Sequence, residues 1–434
     1  MTHPRSSSLP TPASPRVEPS DRVVVVGAGI VGLSTAWHLQ ERGADVTVVD
    51  RDHVAAGSSW GNAGWLTPGL TAPLPDPGVL RYGLRTALRP SSPVYVPLQP
   101  DLRLLRFLTG FARHCTHRRW EAGLAAYAPL NALALDAFDE LAAEGQVPAA
   151  SPARPFLAGF RTAKDRAHLL AELELLQRLG QPLDFGLLTG DEARAIEPAL
   201  SEQITAGVRI EGQRFIDPPV FLEHLARSFV DRGGKLLEGV EVSGLRDDGR
   251  TVDLAYAGGT HERFHAAVLA TGAWLGGLAH RLGVRRLVQA GRGYSFSVAG
   301  SRVPQGPVYF PTQRVACTPL DSPDGPRLRV AGMMEFRSPD APLDRRRVEA
   351  IVDATRPLLS GLDLADRRDE WVGSRPCTTD GLPLVGGTRS PRVFVAGGHG
   401  MWGVALGPVT GRLLAEQMVT GAVPAQLAPF DPLR

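Results

Sequence analysis

A glycine-rich turn between two runs of valine constrains the fold of this chain more than any other feature. In residues 21–51 one valine run leads into the turn GAGIVG, an amphipathic segment follows to about Arg42, and a second valine run ends at an acid. The glycines of the turn are Gly27, Gly29 and Gly32, and the acid is Asp50. Such glycines permit a tight turn, close approach of the backbone to a pyrophosphate and close helix–strand packing. We therefore expect a strand–helix–strand unit that binds a dinucleotide, FAD or NAD, at the helix N-terminus, with Asp50 on the adenosine ribose.

Length and composition indicate a globular protein of two or three modules. The chain has 434 residues, of which 43% are hydrophobic and 21% charged, and its formal net charge is +2. A charge balance this close to neutral, with no basic run interleaved with aromatic residues, gives no reason to expect nucleic-acid binding. Cys115, Cys317 and Cys377 stand in no metal or redox spacing, so we expect reduced thiols, a cytoplasmic location and no metal site.

The N-terminal segment and an arginine-rich region bear on location. Residues 1–21 hold five prolines among serines without an apolar core, which predicts disorder rather than a signal peptide. The longest uncharged apolar stretch belongs to the glycine unit and is too short to span a bilayer. Residues 80–120 are locally basic, and Asp101 is predicted to cap a helix with Leu102 and Leu105 on its apolar face. That region is either a peripheral membrane-contact surface or a solvated helix face.

Further strands and two more turns follow the first unit. The patterns predict strands over 205–215, 236–245, 252–256 and 263–269, and an antiparallel group over 292–298, 307–310 and 327–336. Helices are predicted over 218–232, 344–359 and 403–420. The strand over 263–269 leads into Ala270-Thr271-Gly272, and a strand over 393–396 leads into a Gly-Gly-His-Gly segment. Both turns therefore lie at the carboxyl ends of strands, where ligands bind in open α/β sheets. Glycines that recur every four residues in the last helix predict tight packing onto the sheet or the cofactor.

The combination of these turns resembles a known family. The most specific parts of the likeness are the motifs at 61–64, at 293–295, and Arg375-Pro376 followed by 379–383. From about residue 22 to residue 423 the sequence resembles the FAD-dependent amino-acid and amine oxidoreductases of the D-amino-acid oxidase and glycine oxidase superfamily. Among them it is most similar to the bacterial D-amino-acid dehydrogenases. The resemblance implies FAD rather than NAD.

The resemblance also implies an architecture. We expect an α/β plus α+β fold, in which a Rossmann-like FAD-binding domain is interleaved in sequence with a substrate domain built on an antiparallel sheet. The FAD-binding domain is expected to comprise residues 22–85, 186–284 and 365–425, and the substrate domain residues 86–185 and 285–364.

A set of cofactor-binding residues follows from matching this sequence to the family position by position. The resemblance implies that FAD is held by Gly27, Gly29, Ile30, Val31, Gly32, Asp50, Arg51, Ser58, Ser59, Asn62, Ala63, Gly64, Val242, Thr271, Gly272, Gly398, His399, Gly400, Met401, Trp402 and Gly403. We expect the FAD to be non-covalent, because Gly373 stands where related sarcosine oxidases have an anchoring cysteine, and Cys377 lies beyond that position.

Three residues are implied as catalytic. Arg375 matches the family's arginine that pairs with the substrate carboxylate, and a planar guanidinium can hold that carboxylate bidentately and fix the Cα–H above the flavin ring. His399 belongs to the segment whose donors stabilise charge on the reduced flavin, or is a structural histidine of which only the backbone matters. Tyr294 and Arg292, on the strand expected over the flavin, are weaker candidates for the substrate site, since a buried tyrosine often only packs.

The reaction implied is oxidative deamination of an amino acid, with a D-amino acid favoured. The substrate passes its Cα hydride to flavin N5, and water hydrolyses the resulting imino acid to a 2-oxo acid. The electrons then go to a quinone, another carrier or oxygen. One alternative is an oxidase or dehydrogenase of glycine, sarcosine, proline-like or other secondary amines. Another, of a different class, is a flavin-binding subunit without turnover of its own.

Overall fold

The computed structural model describes residues 16–80, 92–97 and 100–434. Secondary-structure elements within these residues are numbered in chain order. The α-helices are α1 Ile30–Glu41, α2 Leu102–His114, α3 His117–Asn131, α4 Ala134–Ala142, α5 Ala163–Arg178, α6 Gly190–Ile196, α7 Pro218–Asp231, α8 Leu275–Ala279, α9 Arg345–Thr355 and α10 Gly403–Thr420. The strands are β1 Arg22–Val26, β2 Asp45–Val49, β3 Trp65–Leu66, β4 Val94–Tyr95, β5 Ser151–Pro152, β6 Phe156–Phe160, β7 Phe185–Thr189, β8 Ala206–Ile210, β9 Arg214–Phe215, β10 Lys235–Leu237, β11 Val242–Asp247, β12 Val252–Tyr256, β13 His261–Phe264, β14 Ala266–Leu269, β15 Val288–Gly300, β16 Val308–Phe310, β17 Val315–Leu320, β18 Arg327–Phe336, β19 Leu362–Thr378, β20 Leu384–Gly387 and β21 Val393–Gly397.

The first sheet is built around the valine run of β1. Among the described strands its order is β10-β2-β1-β14-β21-β20, and all neighbours are parallel except β20 and β21. The valines of β1 are buried, because a parallel sheet covered on both faces accepts an unbroken β-branched run. The carboxyl ends of β1, β2, β14 and β21 meet at one edge of the sheet. There the chain continues into Gly27, Asp50, Ala270 and Gly398, so the predicted turns converge.

A second sheet is mostly antiparallel. Its described strands follow the order β19-β15-β18-β17-β16-β6-β8-β7, and β4 pairs with β18. The pairs β16–β6 and β18–β4 are parallel, and the other pairs are antiparallel. A smaller antiparallel sheet, β11-β12-β13, follows β10 in sequence. The predicted α/β plus α+β fold is confirmed.

The predicted domain boundaries disagree with the sheets in one region. Residues 186–210 are predicted to belong to the FAD-binding domain, but β7 and β8 pair into the second sheet, with strands of the predicted substrate domain. Strand β19 begins at Leu362 and runs across the predicted boundary at 365. Hydrophobic alternation identifies a strand, but it does not say which sheet the strand joins. The remaining boundaries stay predictions.

The N-terminal prediction also needs correction. Val17 is only 3% exposed and its N–H donates to the carbonyl of Met418 at 2.9 Å. Residues 16–21 are therefore packed against the body of the protein rather than disordered, because one apolar side chain among the prolines finds a place in the core. Residues 1–15 lie outside the described residues.

Helix α2 is capped as predicted but buries a different face. Asp101 accepts hydrogen bonds from two backbone amides of the first turn. Leu102 and Leu105, predicted on the apolar face, are 75% and 60% exposed. The side chains that face the core are Leu104, Phe107 and Phe111. Aromatic rings bury more area than leucines, so the stripe that contains them turns inward. No helix of the described residues is both long and apolar enough to cross a membrane.

Several predicted elements have different bounds. The strand predicted over 263–269 is divided into β13, which joins the smaller antiparallel sheet, and β14, which joins the first sheet. The strand predicted over 236–245 is two strands, β10 and β11, separated by Gly239 with a φ of 69°. The strand predicted over 205–215 is likewise divided into β8 and β9. The helix predicted over 344–359 ends at Thr355. In each case the residue pattern persists beyond the point where the backbone turns.

The glycines of α10 let this helix lie directly against α1. A Cβ on Gly407 would be 3.1 Å from Ile30 Cγ2, and one on Gly411 would be 2.6 Å from the carbonyl carbon of Ser34. The four-residue glycine spacing therefore serves helix–helix packing, with α1 as the partner. Because α1 and α10 follow β1 and β21, both helices begin at the same edge of the first sheet.

Candidate active site

A first cavity of about 840 Å³ lies at the carboxyl edge of the first sheet. Its walls come from the turns after β1, β2, β14 and β21, the loop 56–62, and β19. The predicted site residues that line it are Gly27, Gly29, Ile30, Val31, Asp50, Arg51, Ser58, Ser59, Asn62, Val242, Thr271, Gly272, Arg375, His399, Gly400 and Gly403. The structure thus brings together residues that are more than three hundred positions apart in sequence.

The glycine turn is held in shape by contacts that leave no room for side chains. Gly27 has a φ of 116°, and a Cβ there would be 2.5 Å from the carbonyl oxygen of Ala270. A Cβ on Gly32 would be 1.9 Å from the carbonyl oxygen of Gly27. Asp50 accepts hydrogen bonds from the backbone amides of Ala28 at 2.7 Å and Asp52 at 2.9 Å. Its carboxylate therefore fixes the turn and also faces the cavity.

The donors around the first cavity suit a dinucleotide. The N-cap residue of helix α1 makes no side-chain cap, and the first turn has no acidic residue. Ser59 Oγ accepts a hydrogen bond from the amide of Ile30 at 3.3 Å, so the other amides of the first turn and the helix dipole are left for an anion such as a pyrophosphate. Helix α10 also begins at this cavity without a capping side chain or an acid. The buried Thr271 Oγ1 has no hydrogen-bond partner among the described residues. Two helix N-termini that can bind anions, together with an unpaired hydroxyl in the same cavity, suit a long ligand with phosphate groups in its middle.

His399 is a buried neutral histidine. Its ring is 1% exposed, and Nε2 shares a hydrogen bond of 3.0 Å with Thr410 Oγ1 on α10. Burial lowers its pKa to about 4, so the imidazole carries no charge at neutral pH. The ring therefore ties the turn 397–400 to α10, which supports the structural interpretation of this residue.

Arg375 lies between the first cavity and a second one. It lines both cavities, and Nη1 donates to the carbonyl oxygen of Met333 at 2.9 Å. No carboxylate of the described residues pairs with it, and burial lowers the pKa of the guanidinium below its usual value. Its remaining donors are thus available to an anionic group of a ligand.

The acceptor of Arg375 is an irregular position in β18. Met333 has a φ of 66°, which non-glycine residues rarely adopt. The register between β15 and β18 shifts here, because Arg292 pairs with Glu335 and Tyr294 with Gly332. A β-bulge of this kind redirects a backbone group, and here it presents a carbonyl to Arg375.

The second cavity has a volume of about 390 Å³ and lies over the second sheet. It shares Asn62 and Arg375 with the first cavity. Its aromatic lining residues are Trp65, Phe111, Trp120, Phe160, Tyr309, Phe336 and Trp402. Apolar walls beside a guanidinium are typical of a site that binds a small molecule by its anionic group and excludes water around the rest.

Some predicted cofactor-binding residues lie elsewhere. Ala63, Met401 and Trp402 line the second cavity rather than the first, and Trp402 Nε1 donates to the carbonyl of Ala72 at 2.7 Å. Gly64 and Gly398 line neither of these cavities, and with Gly32 they serve close packing. A Cβ on Gly64 would be 2.0 Å from the carbonyl oxygen of Ile216.

The side chain of Tyr294, which was predicted as catalytic, lies away from both cavities. Its ring is 0% exposed, lines neither cavity and donates from its hydroxyl to Glu335 at 2.6 Å. Arg292 is equally buried and forms an ion pair with Glu335 at 3.3 Å. The two side chains lie on the opposite face of β15 from Gly293, because successive residues of a strand alternate between faces.

Several lining residues were not anticipated. At the rim of the first cavity these are Trp274, whose ring lies 4.1 Å from the guanidinium of the predicted residue Arg51, and Asp340, which accepts a hydrogen bond from Trp274 Nε1 at 2.9 Å. In the second cavity Glu172 is a lining residue that no motif marked. Polar residues of α5 recur on one face of the helix, but a solvated face has the same pattern.

Comparisons with known proteins agree with this geometry. Residues 22–417 match the family described as FAD dependent oxidoreductase. The chain is 31% identical to a D-amino acid dehydrogenase from Cereibacter sphaeroides, over 93% of this chain and 92% of that one. Glycine oxidase from Geobacillus kaustophilus has a similar structure, with a TM-score of 0.73, 23% identity and coverage of 96% and 99% of the two chains. L-alpha-glycerophosphate oxidase from Mycoplasma pneumoniae with FAD bound gives a TM-score of 0.70 at 18% identity, covering 92% and 95%.

The match to the family spans the first sheet, the second sheet and both cavities. The dinucleotide suited to the first cavity is accordingly FAD. The chain belongs to the family of FAD dependent oxidoreductases.

Proposed function

We propose that the protein oxidises an α-amino acid, with D-amino acids favoured, to an imino acid that water hydrolyses to a 2-oxo acid and ammonia. The observation that carries this proposal is Arg375, a guanidinium without a carboxylate partner among the described residues, at the junction of the two cavities. The relatives called D-amino acid dehydrogenase support the choice of substrate. The predicted catalytic role of Arg375 is part of this proposal.

The protein's part in the reaction is chiefly orientation. Arg375 holds the substrate carboxylate, so that Cα lies at the junction of the two cavities. The neutral amine forms a C=N bond with its lone pair as a hydride leaves Cα, and water then displaces ammonia. Bound FAD supplies the acceptor of the two electrons. The N-terminus of α10 would offer backbone donors to negative charge on the bound acceptor, and the aromatic walls exclude water.

Non-covalent binding of FAD is also part of the proposal. Gly373 occupies the position that the family resemblance assigns to an anchoring cysteine, and a Cβ there would be 1.9 Å from the Trp371 ring. The ring fills the space that such a side chain would need. Denaturation with acid should therefore release all of the flavin into the supernatant.

The size of the second cavity favours an amino acid with a side chain. A volume of about 390 Å³ is far more than glycine or sarcosine would fill. The test is anaerobic bleaching of the flavin by D- and L-amino acids, glycine, sarcosine and proline. Bleaching by a D-amino acid at the lowest concentration supports the proposal, and bleaching by a small secondary amine alone contradicts it. If no amino acid or amine reduces the flavin of the isolated chain, the protein is instead the flavin-binding subunit without turnover of its own.

The physiological acceptor is proposed to be a quinone or another carrier. Admission of air to the reduced protein tests this, since rapid reoxidation with formation of peroxide would make it an oxidase. The exposed Leu102 and Leu105 of α2 lie in the arginine-rich region, so a peripheral membrane location is part of the same proposal. Co-sedimentation with anionic vesicles, compared with the double variant Leu102→Ser and Leu105→Ser, tests that location.

A further inference from the structure

One wall of the second cavity is acidic. Helix α5 contributes Asp165, His168 and Glu172, which recur on one face of the helix, and Asp76 joins them from the loop before α2. Arg314, in the turn between β16 and β17, also lines this part of the cavity. The polar wall thus has three carboxylates and one guanidinium beside a histidine, although the rest of the cavity is largely aromatic and aliphatic.

Glu172 is the carboxylate of this wall that is left for a ligand. Asp76 accepts a hydrogen bond from the amide of Val79 at 2.9 Å, and Asp165 accepts one from Thr162 Oγ1 at 2.8 Å. Glu172 forms no hydrogen bond or ion pair with any of the described residues. Burial and the charge of Asp76 raise its pKa to about 7, against the opposing effect of Arg314. A carboxylate in these surroundings is stabilised when a cation approaches it.

Arg375 and Glu172 line the second cavity over different parts of the sheet. The guanidinium of Arg375 bonds to Met333 on β18, whereas Leu169 and Leu173, on the same helix as Glu172, belong to a cluster against which Tyr309 of β16 packs. Strands β18 and β16 are two positions apart in the sheet, which corresponds to roughly 10 Å. The long side chains of lysine and arginine can bridge such a distance from their own carboxylate, and the methyl group of alanine cannot.

The walls between these two points suit the stem of such a side chain. Trp65 and Tyr309 line the cavity with their rings edge to face, at a centroid distance of 5.3 Å. Aromatic rings accept both an aliphatic stem and a cationic end group. The cavity therefore has an anion-binding end at Arg375, apolar walls, and a cation-binding end at Glu172.

We propose that Glu172, with Asp76 beside it, binds the cationic end group of the substrate side chain, so that the enzyme prefers amino acids with long basic side chains. The lysine, ornithine and arginine side chains have the required chemistry. This proposal rests on the proposed function for the identity of the other end, because Arg375 must hold the α-carboxylate of the same molecule.

The first test compares D-lysine with D-norleucine, which has the same chain length without the terminal ammonium. In the wild type kcat/KM for D-lysine should exceed that for D-norleucine at least tenfold, since hydrogen bonds to charged groups contribute on that order. Glu172→Gln should abolish this preference and leave D-norleucine within about twofold of its wild-type value. Glu174→Gln, on an exposed face of the same helix, should retain the preference.

The second test measures binding without turnover. Calorimetry with the holoenzyme should show tighter binding of 6-aminohexanoate than of hexanoate, and Glu172→Gln should remove the difference. Equal binding of the two ligands by the wild type, or a preference unchanged by Glu172→Gln, would overturn this proposal. If no amino acid reduces the flavin, the proposed function fails, and the calorimetric comparison still decides whether Glu172 binds a cation.

Discussion

The guanidinium of Arg375 lies over Gly293 on the neighbouring strand, in the space that a side chain at that position would occupy. A Cβ on Gly293 would be 2.1 Å from Nη2 of Arg375. In the strand register Arg375 pairs with Gly291, so its side chain crosses β15 diagonally and reaches the carbonyl of Met333 on β18. The absence of a side chain at Gly293 thus places the arginine between the two cavities.

This relationship predicts the effect of a single methyl group. Gly293→Ala should displace the guanidinium and raise KM for carboxylated substrates about tenfold or more, because a bidentate contact depends on exact placement. FAD content should be unchanged. Gly258→Ala is the matched control, since a Cβ at Gly258 meets nothing within 4 Å. An unaltered KM in Gly293→Ala would show that the position of the guanidinium does not matter for substrate binding.

Asp50 is expected to affect both the cofactor and the fold. Asp50→Ala removes two hydrogen bonds to backbone amides and should lower the free energy of unfolding of the apoprotein by about 1–3 kcal/mol. The dissociation constant of FAD, measured from the fluorescence of the released flavin, should rise about tenfold or more. Asp45→Ala, which loses only an ion pair with Lys235 at 3.6 Å, should change little. Equal FAD affinity in both variants would argue against a role of Asp50 in the site.

Two buried histidines should make stability depend on pH. Burial lowers the pKa of His38 to about 3 and that of His399 to about 4, from 6.5. Between these values and 6.5 the unfolded chain binds protons that the folded chain does not, so stability falls as the pH falls. Each histidine should cost about 2 kcal/mol at pH 5 relative to pH 8.

Urea denaturation of the holoenzyme at pH 5 and pH 8 measures this effect. His38→Leu should reduce the difference between the two pH values by about 2 kcal/mol, whereas substitution of the exposed His53 by leucine should not change it. A difference that is the same in His38→Leu and in the wild type would mean that His38 is charged in the folded protein.

The preference for a basic side chain should itself depend on pH. Glu172 has a pKa raised to about 7, so it is mostly a neutral acid at pH 6 and mostly a carboxylate at pH 8. The terminal ammonium of lysine stays charged over this range. The ratio of kcat/KM for D-lysine to that for D-norleucine should therefore rise between pH 6 and pH 8. In Glu172→Gln the ratio should stay flat, and a parallel rise in that variant would assign the pH dependence to another group.

The sequence predicted the parts of the site that depend on local structure. The strand, turn and helix from Arg22 to Asp50 follow from residue types at short spacing, and Gly27, Gly29 and Asp50 line the first cavity. The expected role of Arg375 was inferred from the motif around it, Arg375-Pro376 followed by residues 379–383. Such features can be predicted from the sequence because the residues that a turn or a motif requires lie within one short segment.

The remaining features of the site depend on which residues from distant parts of the sequence come into contact in the folded chain. Tyr294 and Gly293 are adjacent in sequence but lie on opposite faces of β15, and the motif that contains them does not show which of these two faces is turned toward the site. The bulge at Met333 has no sequence signature, because its cause is the register between two strands. Glu172 looks like any solvated acid until the cavity over α5 is known.

The central claim is that Arg375 holds the substrate carboxylate. Anaerobic flavin reduction should be measured with a D-amino acid and with the amine that lacks its carboxylate, in the wild type, Arg375→Lys and Arg375→Ala. We predict that Arg375→Ala lowers the efficiency of reduction by the amino acid about a hundredfold or more, that Arg375→Lys restores only part of it, and that reduction by the amine is the same in all three. Equal reduction by the amino acid in the wild type and Arg375→Ala would contradict the account.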